Sequence, residues 1–179
     1  MRNGQWNKKQ YKGIEITGKT LGLIGFGRIA KETAKRAYAL GMNVIYTDKK
    51  GKAEGYDKYT YMSLDELLAK SDFISIHVPF NRENGVILGE EEFNKMKNGV
   101  YLINTARGGV VCEKALVKAL DSGKVAAAAV DVFEEEPTRN EKLYTHPRVS
   151  LTPHIGASTK EAQARIGQEI VDIITKFFK

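Results

Sequence analysis

The chain has 179 residues, 42% of them hydrophobic and 28% charged, a composition that fits one soluble globular domain able to hide roughly 70% of its unfolded surface. No run approaches the ~20 apolar residues of a membrane helix, the polar start MRNGQWNKKQYKG is no signal peptide, and the one cysteine, Cys112, cannot close an internal disulfide, which points to a reducing cytoplasm. The net charge of +6 is scattered, and its densest group, Lys49, Lys50 and Lys52, is short and lacks interleaved aromatics, so nucleic acid is not an expected partner; no cluster of metal ligands is visible.

From residue 20 onward, apolar runs of strand length alternate with helical patterns. TLGLIG (20–25) reads as a buried strand, RIAKETAKRAYAL (28–40) as a helix stopped by Gly41, and NVIYT (43–47) as the next strand. Ser63 and Glu66 form a capping box for the helix LDELLAK. FISIHV (73–78) is a strand ended by Pro79, EEEFNKM a helix, VYLIN (100–104) a strand, EKALVKAL (113–120) a helix closed by Gly123, VAAAAVDV (125–132) a strand and VSLT (149–152) the last strand. Ser158 and Glu161 read as a second capping box, opening a terminal helix with Ala162, Ile166, Ile170, Ile173 and Phe177 on one stripe. Strands this apolar, separated by helices, imply a doubly wound, Rossmann-type α/β fold with a parallel sheet covered on both faces.

The first strand runs into GLIGFGRIA, which supplies Gly25-x-Gly27-x-x-Ala30 at the mouth of the first helix. Gly25 permits a tight turn, Gly27 lets a pyrophosphate approach the backbone, and a small third residue lets helix and strand pack closely. The helix N-terminus then offers free N–H groups to phosphate. Asp48 ends the second strand about 20 residues later, where a carboxylate accepts hydrogen bonds from an adenosine ribose. That carboxylate favours NAD over NADP, although Lys49 and Lys50 offset part of its repulsion for an extra phosphate.

Ligands of open α/β sheets bind beyond the carboxyl ends of the strands. There the chain places Thr105-Ala106-Arg107-Gly108-Gly109, then Asp131 followed by Glu134, Glu135 and Glu136, then Pro153-His154. An arginine grips a carboxylate through two parallel N–H bonds, and a histidine moves a proton at neutral pH. A carboxylate bonded to that histidine favours its charged form. With a nicotinamide beside them, these groups suit hydride transfer at a hydroxyl or keto carbon, and spacing alone does not choose among the three glutamates. His77 reads as a structural residue near a strand end, and His146 as a loop residue with no visible partner.

The blocks GKTLGLIGFGRIA, SDFISIHVP, LINTARGGVV, AAVDVFEEEP and LTPHIGASTKEAQ, in this order and spacing, resemble the NAD-binding domain of the D-isomer-specific 2-hydroxyacid dehydrogenases over nearly the whole chain. PHIGASTKEAQ looks most like the phosphoglycerate dehydrogenase branch. The resemblance implies His154 as proton donor and acceptor, Glu136 as its carboxylate partner and Arg107 as the grip on the substrate's carboxylate and carbonyl. For the cofactor it implies Gly25, Gly27 and the Arg28 and Ile29 backbone at the pyrophosphate, Asp48 at the ribose, and Val78 and Pro79 beside the adenosine half. Thr105, Ala106, Arg107, Asp131, His154, Gly156 and Ala157 would line the nicotinamide side.

Three departures accompany the likeness. Ala30 stands at the third glycine position, and Cys112 replaces an aspartate that would cap the helix beginning at Glu113, a loss on the order of 1 kcal/mol. The third is a missing substrate-binding domain: residues 1–17 read as a linker from it, 18–157 as the cofactor domain and 158–179 as an interdomain helix. The expected partners are a small 2-hydroxy or 2-keto acid and a second subunit paired through the cofactor domain. Alternatives within the same fold are a glyoxylate or hydroxypyruvate reductase, a redox-sensing corepressor-like module, and a dimerisation scaffold.

Overall fold

The computed structural model describes Gly4, Trp6, residues 12–81 and residues 85–178; most of the linker expected over 1–17 lies outside these. The elements run β1 (Thr20–Ile24), α1 (Arg28–Ala39), β2 (Asn43–Thr47), β3 (Thr60–Tyr61), α2 (Leu64–Lys70), β4 (Phe73–Ile76), α3 (Glu90–Lys95), β5 (Val100–Asn104), α4 (Glu113–Asp121), β6 (Val125–Val130), α5 (Glu141–Tyr144), β7 (Val149–Leu151) and α6 (Lys160–Phe177). The seven strands form one sheet in the order β3-β2-β1-β4-β5-β6-β7, and every pairing is parallel. The chain winds outward from β1 through β2 to β3, then returns to β4 on the other side of β1. That reversal opens a crevice at the carboxyl ends of β1 and β4, the place where such sheets bind ligands.

Alternation along the strands builds two cores. Leu21 and Leu23 of β1 join Val44 and Tyr46 of β2 under Ala30, Ala34 and Ala37, the small buried stripe of α1. Ile24 and Ile45 face the opposite side, where they pack with Leu67 and Leu68 of α2, Phe93 of α3 and Leu116 and Leu120 of α4. Gly22 is the residue that admits α2: a Cβ there would lie 2.7 Å from Leu67 Cδ2.

Cover on the α1 side stops partway across the sheet. Val100 and Leu102 of β5 are buried beneath α3 and α4, whereas Tyr101 and Ile103, which alternation turns to the other face, stay half-buried. The apolar stripe of α6 forms as expected, yet no residue of that helix is buried; Ile166, Ile170 and Ile173 are all at least half exposed.

Several local expectations change. Two elements are additions: β3, which pairs through Ile45–Thr60 and Tyr46–Tyr61, and the single turn α5. Both are too short to show a period. The α2 capping box forms, with Glu66 N–H donating to Ser63 Oγ and Ser63 N–H to the Glu66 carboxylate. At α6 the cap is Thr159, not Ser158: Thr159 Oγ1 accepts the Ala162 N–H at 3.1 Å, one residue later than the spacing from Ser158 to Glu161 predicts. His146 is not without partners either. Its Nδ1 accepts the Arg148 N–H, and its Nε2 lies 3.4 Å from Asp121.

Candidate active site

The glycine turn is built by sterics from both sides. Gly25 has φ +90°, and a Cβ on it would lie 2.6 Å from the His77 carbonyl oxygen, so both backbone and neighbour demand glycine. Gly27 differs: nothing lies within 4 Å of where its Cβ would be. Open space therefore lies above the start of α1, whose N-cap is Gly27, with no side-chain cap and no acid in the first turn. The other helix starts are less open to an anion, since α2 carries Asp65 and Glu66 and α3 carries Glu90, Glu91 and Glu92. Only α1 among these three presents its positive end without a carboxylate.

The turn opens onto a cleft of about 390 Å³ lined by Gly27, Arg28, Ile29 and Ala30 on one wall, His77, Val78 and Pro79 on another, and Thr105, Ala106 and Arg107 on a third. A glycine-floored cleft at an uncapped helix start has the shape and polarity for a diphosphate, and the residues present fit a dinucleotide. Asp48, half-buried, directly follows the end of β2; its carboxylate accepts the Phe26 N–H at 2.7 Å and the Lys50 N–H at 2.9 Å. It thus ties the end of β2 to the glycine turn.

His77, expected to be merely structural, is part of this wall. A hydrogen bond of 3.0 Å joins its Nε2 to Ser75 Oγ, and burial pushes its pKa down to about 4, so the ring is neutral at physiological pH. The signal was its place one residue past the end of β4, at the edge where ligands bind.

Beyond β5, β6 and β7, three adjacent strands deliver the expected arginine, acid and imidazole to that same edge. His154 Nδ1 lies 2.7 Å from Glu136 Oε2. The other oxygen of Glu136 accepts the Phe133 N–H at 3.1 Å, and the two bonds, led by that to His154, hold the carboxyl below its usual pKa. His154 itself has φ +53°, a left-handed conformation that histidine tolerates better than most residues.

What holds that strained turn is Asp131, only 3% exposed. Its carboxylate accepts the Thr152 hydroxyl at 2.5 Å and the Ile155 and Gly156 N–H groups, both at 2.8 Å, on either side of His154 in the chain. Burial pushes the Asp131 pKa up, but the bonds from Thr152, Ile155 and Gly156 outweigh it and the net shift is downward. Thr152 was missed in the sequence because a threonine at a strand end is commonplace. Gly156 belongs to this turn, and Ala157 continues it as an exposed residue.

Arg107 is exposed and lines the cleft rather than touching the histidine–acid pair; its guanidinium donates to the Ala106 carbonyl at 2.6 Å. Buried Asn104, also missed in the sequence, shapes the loop by accepting the Ala106 N–H at 3.1 Å and donating to the Arg107 carbonyl at 3.3 Å. Glu136 and His154 line a neighbouring cavity of about 490 Å³ with Phe133, Pro137, Tyr144, Leu151 and Pro153.

Comparison with known proteins agrees with this geometry. Residues 1–156 match the family model for the D-isomer specific 2-hydroxyacid dehydrogenase NAD binding domain. The chain is 51% identical to a hydroxypyruvate reductase of Thermotoga maritima, over 98% of this chain and 58% of that protein. It is 44% identical to a D-3-phosphoglycerate dehydrogenase of Bacillus subtilis, over 100% of this chain and 34% of that one. Among solved structures, a glyoxylate reductase from Paecilomyes thermophila superposes with a TM-score of 0.88 at 46% identity, covering 93% of this chain and 51% of that one. The chain thus spans between a third and three fifths of the length of these relatives. An all-parallel sheet with a glycine turn at its switch point, and a histidine paired with a glutamate at the same edge, agree with the match in placing the chain in the D-isomer-specific 2-hydroxyacid dehydrogenase family, as its NAD-binding domain.

Proposed function

We propose that this domain serves the NAD-dependent interconversion of a small 2-hydroxy acid and its 2-keto acid, with D-3-phosphoglycerate as the hydroxy acid. The observation that carries the reading is the 2.7 Å pairing of His154 Nδ1 with Glu136. It leaves Nε2 as the ring nitrogen free to face a substrate hydroxyl, and the adjacent carboxylate stabilises the imidazolium that forms when the proton arrives. Arg107, exposed on the cleft wall, is placed to grip the substrate's carboxylate through two N–H bonds. The uncapped start of α1 and the open space over Gly27 would hold the diphosphate of the cofactor, and Asp48, tied to the glycine turn through the Phe26 N–H, would accept hydrogen bonds from its ribose. The chemistry that a bound NAD supplies is acceptance of the hydride from C2. His154 Nε2 takes the hydroxyl proton as C2 is oxidised and returns it in reduction.

The phosphoglycerate assignment is supported by the block PHIGASTKEAQ and by the 44% identical phosphoglycerate dehydrogenase. A second reading, hydroxypyruvate reduction, is favoured by the 51% identical Thermotoga relative. Calorimetric titration of the chain with NAD and NADP tests the cofactor site; tighter binding of NAD is expected, and no binding of either would overturn it. For the substrate, the chain is joined in turn to the flanking segments of the Thermotoga reductase and of the Bacillus phosphoglycerate dehydrogenase, and each hybrid is assayed with phosphoglycerate, hydroxypyruvate and glyoxylate. Turnover confined to the last two in both hybrids would reject phosphoglycerate.

A further inference from the structure

The geometry points to Glu113, the first residue of α4, as a positioning residue that clamps the loop carrying Glu136 to the loop carrying Arg107, and so delivers Glu136 to His154. This inference rests on the acid–base reading of the His154–Glu136 pair given above.

Glu113 is a charged side chain only 8% exposed, and both of its oxygens are spent on the acid loop. Oε1 accepts the Glu134 N–H at 2.8 Å, and Oε2 accepts Asn140 Nδ2–H at 2.7 Å. The loop is therefore pinned at Glu134 and again at Asn140, with Glu136 between the two pins. Glu134 reciprocates: its Oε1 accepts the Glu113 backbone N–H at 3.0 Å. That bond supplies an N-terminal cap to α4, where Cys112 makes none. Two carboxylates this close would repel, and the positive end of α4 offsets the repulsion.

The same short segment anchors the arginine loop. A Cβ on Gly108 would lie 1.6 Å from the Phe133 carbonyl oxygen, so the backbone beside Arg107 rests directly on the backbone that leads into Glu134. Glu113 follows where that connection from β5 ends, at the first residue of α4. Arg107, Gly108 and Glu113 thus form one rigid edge against which the acid loop is fastened. A carboxylate so buried, wholly occupied by one loop and touching neither His154 nor the cofactor cleft, acts through Glu136.

A merely stabilising role would lower the melting temperature and nothing else, so the test reads the His154 imidazole. Its titration is followed by NMR in the whole chain with NAD present, the resonance being identified by its absence in His154→Asn. The charged groups that bear on that ring are Glu136, at 2.7 Å, and Asp131. Glu136→Gln removes the carboxylate 2.7 Å from the ring and is expected to lower the titration midpoint measurably. Glu113→Ala should move it the same way by at least half as much, with NAD affinity within about threefold of the parent, a range of roughly 0.7 kcal/mol or less. Glu113→Gln keeps an acceptor for the Glu134 N–H and, with the Asn140 amide turned over, donates to Asn140 Oδ1, so both pins are retained and most of the shift should be restored.

A Glu113→Ala chain that melts earlier but titrates like the parent overturns the proposal. Should that variant not fold, Asn140→Ala removes one pin alone, and an unmoved midpoint there overturns it equally. If Glu136→Gln itself leaves the midpoint in place, the acid–base reading fails first, and the clamp loses its function with it.

Discussion

The carboxylate of Asp48 and the backbone N–H of Phe26, separated by 22 residues in the chain, meet at 2.7 Å. The residue expected at the ribose therefore also fastens the glycine turn to the end of β2. Asp48→Ala should relax the preference for NAD over NADP and lower stability by about 1 kcal/mol, the worth of one or two such bonds. Paired NAD and NADP titrations with a thermal melt check both. Unchanged discrimination would mean that the side chain does not face the ribose.

The two glycines of the turn should separate cleanly. Gly25→Ala adds a methyl 2.6 Å from the His77 carbonyl oxygen at φ +90°, so the fold itself should suffer by roughly 1–3 kcal/mol. Gly27→Ala meets nothing within 4 Å, and its melting temperature should match the parent while NAD affinity drops, because the methyl enters the space over the start of α1. Equal effects of the two on stability would contradict this division.

His77 makes stability depend on pH on the acid side of neutrality. In the unfolded chain its imidazole protonates near 6.5, in the folded chain only near 4. Between those values the unfolded state holds a proton that the native state lacks. The contribution is therefore complete above pH 6.5 and lost as pH falls toward 4, up to on the order of 3 kcal/mol. Urea denaturation of the parent and of His77→Gln at pH 7.5 and pH 4.5 should show a smaller loss in the variant.

Asp131 governs the strained turn at His154. Asp131→Asn puts an amide NH₂ where an N–H or hydroxyl donor now points, and a buried mismatch of this kind costs about 1–3 kcal/mol. Its folded pKa lies below 3.8, so the carboxylate's stabilisation is present above about pH 4 and is lost as pH falls through the lower native value. The variant should melt earlier at pH 7 and lose less on further acidification, which calorimetric melts at pH 7 and pH 3 would reveal.

In a chain joined to a relative's flanking segments, His154→Ala should lower turnover by about 10²- to 10⁴-fold with NAD affinity nearly unchanged. Stopped-flow hydride transfer together with NAD titration separates the two quantities. Collapse of NAD binding would make His154 a structural residue.

The fold class was legible because a buried parallel strand must be apolar on both faces and a helix must show its own period, and both leave marks in a single sequence. The glycine turn was legible for a similar reason: a tight turn, a close approach and a free helix start each restrict residue type at fixed spacing. β3 and α5 were not, since two residues and four residues carry no period. Thr159 replaced Ser158 as a cap because either hydroxyl could serve, and the turn after His154, set by Asp131 some 25 residues earlier, decides where the helix begins.

Residue types and their order along the chain were enough to bring arginine, acid and histidine to one edge of the sheet, because parallel strands all end on the same side. The family resemblance, not the spacing, named Glu136 among the three glutamates; its 2.7 Å approach to the imidazole, the place of Arg107 on the neighbouring cleft, the neutral wall at His77 and the fastening of the loops by Glu113 were settled only in three dimensions. Those relationships join residues 18 to 27 positions apart or across separate strands, and hydrogen bonds between loops leave no periodic trace in the order of amino acids.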